Sequence, residues 1–422
     1  PKARTSISRK ELCFVFALTL QFPWGTDLEV SDDAGVHYHP ATQSVRGGDP
    51  GDSGFPYDFP MAASPAELLS ARLHNQQLIG STRRKPGQVV SWLCAMQAQD
   101  FPAAKWAIGL RAPGVQDGDI EQAFNDGLIL RTHVLRPTWH FVAPEDIRWL
   151  LAVSSPRIHA VNAYYYRQLG LDAKIFAKSC AMIQRVLEGK TLTRVELATY
   201  LKRAKVPADG LKLAYLMMQA ELDGVICSGP RRGKVFTYAL LDERVPATKP
   251  KARDEALAEL AKRYFASHGP ATVRDFSWWS GLTAKEAQQA VDSVRPSLEE
   301  STISGLTHWS ADDRSGGSTK SVVAMLLPNY DEYLIAYKDR AAFVDEARSA
   351  NVAARVGGAL ANHLIIDGRL AGGWSRTIKP NGVHIEVAPY KKLTPAQSRA
   401  VANAAECYGE FLGVPAELSM TK

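Results

Sequence analysis

The chain is poor in cysteine. Its 422 residues include five, at positions 13, 94, 180, 227 and 407, and no two stand in a Cys-x-x-Cys spacing. So few and so dispersed, they exclude a disulfide framework and a thiolate zinc site, and they suit a reducing compartment. Long apolar runs are missing too. None approaches ~18 residues, so no segment is read as crossing a membrane. Charge of one sign is also scarce, with 50 Lys+Arg against 44 Asp+Glu for a net +6. The first 60 residues carry five Lys/Arg and eight Asp/Glu, which leaves 45 against 36 in the rest. A basic body of this size permits a polyanionic partner without demanding one. What is present is ordinary: 45% hydrophobic and 22% charged residues, which excludes disorder throughout and collagen.

The common catalytic signatures are absent as well. There is no Gly-x-x-x-x-Gly-Lys-Ser/Thr, no His-Glu-x-x-His and no Gly-x-Ser-x-Gly. His384-Ile385-Glu386 matches half of a zinc-deaminase motif, but no Pro-Cys-x-x-Cys follows, so it reads as a strand with alternating faces.

Residues 1–60 do not resemble the remainder. Leu12–Leu20 is an apolar run behind Arg9-Lys10, but Gln21-Phe22-Pro23-Trp24 stands where a signal-peptide cleavage site belongs. Residues 25–60 have no period of 2 or 3.6 and therefore no face to bury. This stretch is read as a disordered or non-native leader, with the functional protein starting at Met61 and His37/His39 a coincidence. Ser64-Pro65-Ala66-Glu67 then gives an N-cap, a Pro at the first helical position and a Glu at the third.

One small unit then recurs. In 171–248, a helix over Ile175–Leu187 precedes a capping box at Thr193–Glu196, a helix to Leu201 and another over Leu211–Leu222. Strands Val225–Cys227 and Val235–Leu240 flank a turn carrying Arg231, Arg232 and Lys234. Helix, helix, helix and a basic hairpin is the order of a winged helix, and cations on such a wing suit phosphate contact. Lys202, Arg203 and Lys205 cluster nearby. In 249–315, Thr272-Val273-Arg274-Asp275 repeats the capping spacing between helices Asp254–Ser267 and Phe276–Ser280. In 61–170 the expectation is helices over Pro65–Ile79, Pro86–Met96 and Asp119–Asn125, then strands Ile129–Val134 and Thr138–Val142. Residues 316–422 read as a β-rich domain, with strands Val322–Leu327, His363–Ile366, Leu370–Trp374 and Val383–Val387 and a closing helix Pro395–Leu412. The fold class is therefore α+β: three tandem winged-helix units and a β-rich C-terminal domain.

Three segments could carry chemistry. Gln97-Ala98-Gln99-Asp100 arrives where the second helix should fray before Pro102. Two amides two residues apart share a face if the chain is extended there. They do not titrate near pH 7, but they can orient a water or set carbonyl oxygens beside a developing positive charge. A polar helix end is the plainer reading. On the hairpin, Arg131, His133 and Leu135 alternate to one face, and Thr138 and His140 share a face beyond Arg136-Pro137. Asp331 and Glu332 follow an apolar strand, either as an acid pair or as a helix start that favours anions.

Gln97-Ala98-Gln99, Leu135-Arg136-Pro137-Thr138-Trp139-His140, Leu327-Pro328-Asn329-Tyr330-Asp331-Glu332-Tyr333-Leu334 and Ile366-Asp367-Gly368-Arg369-Leu370-Ala371-Gly372-Gly373-Trp374-Ser375-Arg376 together resemble the AlkZ/YcaQ-type winged-helix DNA glycosylases, from about Met61 to the end of the chain. Gln97-Ala98-Gln99 is similar to the Gln-apolar-Gln motif of the AlkZ-like branch. The resemblance implies excision of cationic N7-alkylated purines from double-stranded DNA, in some members from bulky adducts or interstrand crosslinks. It implies Gln97 and Gln99 as catalytic; Arg136, Thr138, His140, Asp331 and Glu332, read from their own segments, are expected to support the site. No metal, cofactor or Lys Schiff base is required, so the enzyme would be monofunctional and leave an abasic site. A monomer in the bacterial cytoplasm, at the nucleoid, is expected. The competing expectation is a non-catalytic winged-helix regulator of transcription; an RNA- or protein-binding scaffold is a third.

Overall fold

The computed structural model describes residues 64–311, 321–344 and 362–421. The leader, its apolar run, His37/His39 and the start at Met61 lie outside these residues.

The first winged helix is preceded by α1 (Pro65–Asn75), whose capping box at Ser64 and Glu67 is formed. It then runs α2 (Pro86–Leu93), β1 (Ala95–Gln97), α3 (Phe101–Gly109), α4 (Asp117–Asn125), β2 (Leu130–Val134) and β3 (Thr138–Val142). The sheet order is β1-β3-β2. A long helix, α5 (Ile147–Gln168), leads to the second unit: α6 (Ala173–Leu187), β4 (Leu192–Thr193), α7 (Arg194–Arg203), α8 (Gly210–Leu222), β5 (Ile226–Ser228) and β6 (Thr237–Leu240). Its sheet order, β4-β6-β5, repeats the first. After a short helix, α9 (Leu241–Arg244), the third unit has α10 (Arg253–His268), α11 (Val273–Ser280), α12 (Ala284–Val294), β7 (Leu298–Ile303) and β8 (Leu306–Ala311). Here the first strand shrinks to one bridge, Ala271 against Trp309. Capping boxes start α7 at Thr193 and α11 at Thr272, as their spacing predicts.

The C-terminal part holds β9 (Ala324–Leu327), α13 (Glu332–Ile335), β10 (His363–Ile366), β11 (Arg369–Lys379), β12 (Gly382–Pro389), α14 (Pro395–Leu412) and β13 (Ala416–Met420). The five strands form one sheet, with β13 parallel to β12. Asp367 and Gly368 both have positive φ and make the tight β10–β11 turn. His384 and Glu386 lie on the outer face of β12 while Val383, Ile385 and Val387 are buried, which is the alternation expected of them.

Two differences from expectation matter for the site. The helix expected to run to Met96 stops at Leu93, and Gln97 lies on a strand. Pro102 does not end a helix. It opens one, because the Asp100 side chain accepts the Ala103 N–H and caps α3. Helices α3 and α5 and strand β13 were not expected.

The core is shared across sequence units. One buried cluster joins Leu69, Val134, Tyr264, Trp279 and Tyr333, and so joins the first unit, the third and the C-terminal part. Another joins α3 and α4 to the C-terminal sheet; Trp106 donates to the Leu326 carbonyl at 2.7 Å and packs on Tyr408. The second winged helix has a core of its own.

Candidate active site

The Gln97 strand begins at an unusual residue. Cys94 closes α2 with φ +68° and ψ −47°, which turns the chain sharply toward β3. Burial pushes its thiol pKa up to about 12, so it is an inert apolar group. β1 then pairs antiparallel with β3, setting Gln97 opposite His140. The backbone stays extended past the strand, where Ala98 N–H donates to the Trp139 carbonyl at 2.7 Å. Both glutamines reach the same hairpin. Arg136 Nη2 donates to Gln97 Oε1 at 3.4 Å, and Trp139 N–H donates to Gln99 Oε1 at 3.3 Å. Among the described residues each amide oxygen thus has one protein donor, which leaves its NH₂ and a second lone pair for other partners.

Asp331 and Glu332 do not act as a pair. Asp331 caps α13 and binds Arg111 through both oxygens at 2.7 and 2.8 Å, all fully buried. It anchors the C-terminal part to the first winged helix. Glu332 faces the other way. Its Oε1 accepts the Gln97 backbone N–H at 2.8 Å, and its Oε2 accepts Trp279 Nε1–H at 3.0 Å. His268 Nε2 lies 3.7 Å from Oε2. Burial alone would raise the Glu332 pKa, but His268, His140 and the Gln97 N–H outweigh it, and the carboxyl lies below its usual range.

His140 is fully buried, and its Nδ1 lies 2.9 Å from the Thr138 carbonyl, to which it donates. Burial first, and then the Arg136 charge, lowers its pKa to about 4. It is therefore neutral at pH 7 and supplies neither a cation for phosphate nor a general acid. The hairpin cations are divided between two faces. Arg131 is buried on the face away from His140, donating to the Ala98 carbonyl at 2.9 Å and stacking on Trp139 and Phe236. His133, on that same face, is paired with Glu221 of α8. Arg136 is half-buried over the Trp278 ring, 5.6 Å from its centroid.

The wing of the second unit is not an open basic tip. Arg231 binds both oxygens of Glu121 at 2.9 and 3.0 Å and lies over Phe101 and Phe236, which docks the wing onto the first unit. Its charge is spent inside the protein. Arg232 is paired with Glu196 at 2.9 Å, and Lys202 with Asp209 at 2.5 Å. Arg203, Lys205 and Lys234 are exposed. Sequence reasoning missed Trp278, Trp279 and Arg111, which have no local motif and join the site only through the fold.

A family model described as DNA glycosylase AlkZ-like matches residues 90–411. A curated relative from Streptomyces sahachiroi, an interstrand DNA cross-link repair glycosylase, is 26% identical over 329 residues, covering 74% of this chain and 88% of that protein. The solved structure of Streptomyces sahachiroi DNA glycosylase AlkZ matches with a TM-score of 0.72 at 23% identity, covering 85% of this chain and 100% of that one.

Proposed function

Because the chain belongs to the AlkZ-like DNA glycosylase family, we propose that it hydrolyses the N-glycosidic bond of cationic N7-alkylated purines in double-stranded DNA. The observation that carries this reading is the pair of amides, Gln97 and Gln99, held at the β2–β3 hairpin by Arg136 and Trp139. An N7-alkylated purine is already cationic and leaves without a proton from the protein, so a site whose buried His140 is neutral is no handicap. Departure leaves an oxocarbenium-like sugar that water must capture. The free lone pairs on the two amide oxygens face that cation, and the NH₂ groups orient the water. The product is an abasic site. The lability of the lesion supplies part of the selectivity.

The name of the curated relative favours a second reading of the same site, in which bulky adducts and interstrand crosslinks are also released. The protein acts as a monomer, at the bacterial nucleoid where its DNA substrate lies. The test is incubation with methylated duplex DNA. Free 7-methylguanine and abasic sites are expected; intact bases on simple and bulky adducts would instead fit a non-catalytic regulator.

A further inference from the structure

We propose that Glu332 is a positioning residue for base release, acting through Gln97; the inference rests on the glycosylase reading above. Glu332 is 1% exposed. A buried carboxylate is costly unless its lone pairs and charge are met. Anchoring α13 does not require one here, because the neighbouring Asp331 already does so through Arg111. What Glu332 adds is a hold on Gln97. β1 is an edge strand of three residues, and the Gln97 N–H points away from its sheet, to Glu332 Oε1 at 2.8 Å.

The third winged helix supports this hold twice. Adjacent residues of α11 are used: Trp279 donates to Glu332 Oε2 at 3.0 Å, and Trp278 lies beneath Arg136. Arg136, whose charge burial disfavours, an effect the Glu332 carboxylate partly offsets, donates to Gln97 Oε1. Gln97 is therefore gripped at its backbone by Glu332 on Trp279 and at its side chain by Arg136 on Trp278. An amide that places a water must be held to within about 0.5 Å, and these contacts restrain both ends of the residue.

The test compares Glu332→Ala, Glu332→Gln and Trp279→Phe with the wild type for release of 7-methylguanine from methylated duplex DNA, alongside DNA Kd and thermal unfolding. Glu332→Ala should lower kcat by ~10–100-fold, the scale of a misplaced catalytic group, with KM and Kd within about twofold of wild type. Glu332→Gln keeps a carbonyl oxygen for the Gln97 N–H and should recover part of the loss. If Glu332→Ala does not fold, Trp279→Phe, which removes the donor to Oε2 and keeps an aromatic ring in the buried cluster, should still lower kcat about threefold or more at unchanged KM. Wild-type kcat in the folded variants overturns the inference. So does a loss confined to KM, or a Glu332→Gln no faster than Glu332→Ala, since then the grip on the N–H is not what matters. No release by the wild type overturns the glycosylase reading itself, and this inference with it.

Discussion

Glu332 accepts the backbone N–H of Gln97 at 2.8 Å, across 235 positions of sequence. An edge strand leaves every second N–H without a partner in its own sheet, and a buried one must find another. Here the partner is a carboxylate from another part of the chain. The geometry of the amide pair is therefore a property of the whole fold and not of the short motif that contains it.

Gln97→Ala and Gln99→Ala should each leave thermal unfolding and DNA affinity near wild type, because neither side chain is buried in the core. Base release should fall by ~10²-fold if the amide is a transition-state contact. The double variant should fall by less than the product, since both amides serve one water. Single-turnover rates on methylated duplex check this. Gln99→Asp should retain activity on simple cationic adducts, although Asp100 beside it raises the cost of a second charge.

Gly281 should prove irreplaceable. It ends α11 with φ +72°, and a Cβ there would stand 2.6 Å from the Leu135 carbonyl oxygen. Gly281→Ala should cost ~1–2 kcal/mol for the left-handed backbone alone. It should also push the turn that carries Arg136, slowing base release several-fold in the molecules that remain folded. Urea unfolding and kcat, measured on the same preparation, separate the two effects.

His140 predicts a pH dependence of stability. Its folded pKa is about 4, against 6.5 for a free histidine. Between those values the unfolded chain binds a proton that the native state refuses. Its contribution is complete above pH 6.5, declines as pH falls toward 4, and amounts to about 3 kcal/mol. His140→Gln should flatten that part of the profile. Denaturant titrations at pH 7, 5.5 and 4.5 would show it, and equal slopes for both proteins would refute it.

The exposed and the paired cations of the second unit should behave differently. Arg203, Lys205 and Lys234 are exposed, and Ala at all three should flatten the dependence of log affinity on log salt by up to ~3 × 0.9 if they meet phosphates. Arg231→Ala should leave that slope unchanged and lower the melting temperature, because its guanidinium staples the wing to Glu121 and Phe101 of the first unit.

These residues also show what the sequence could tell. The capping boxes at Ser64, Thr193 and Thr272 are local, and the helices they open were legible. The alternation of β12 was legible for the same reason. The end of α2 was not, because its chain reversal uses a cysteine at positive φ where a glycine would have signalled it. α3 was hidden because Pro102 serves equally as a stop or a start, and only the Asp100 cap decides. α5 packs against the first unit, α8 and α10, so it carries no single apolar stripe. Asp331 and Glu332 read as one acid pair, and nothing local says that their carboxylates face apart.

The dispersal of the site along the chain has a consequence for synthesis. The nascent polypeptide presents both glutamines early, and all three winged helices are complete by residue 311. Yet Gln97 gains its backbone partner only when residue 332 has emerged. A chain stalled in between would also lack Tyr333, which shares a buried cluster with Leu69 and Val134 of the first unit. Truncation after residue 311 should therefore lower stability as well as base release, and a truncated protein that unfolds like the full chain would show the shared core to be dispensable.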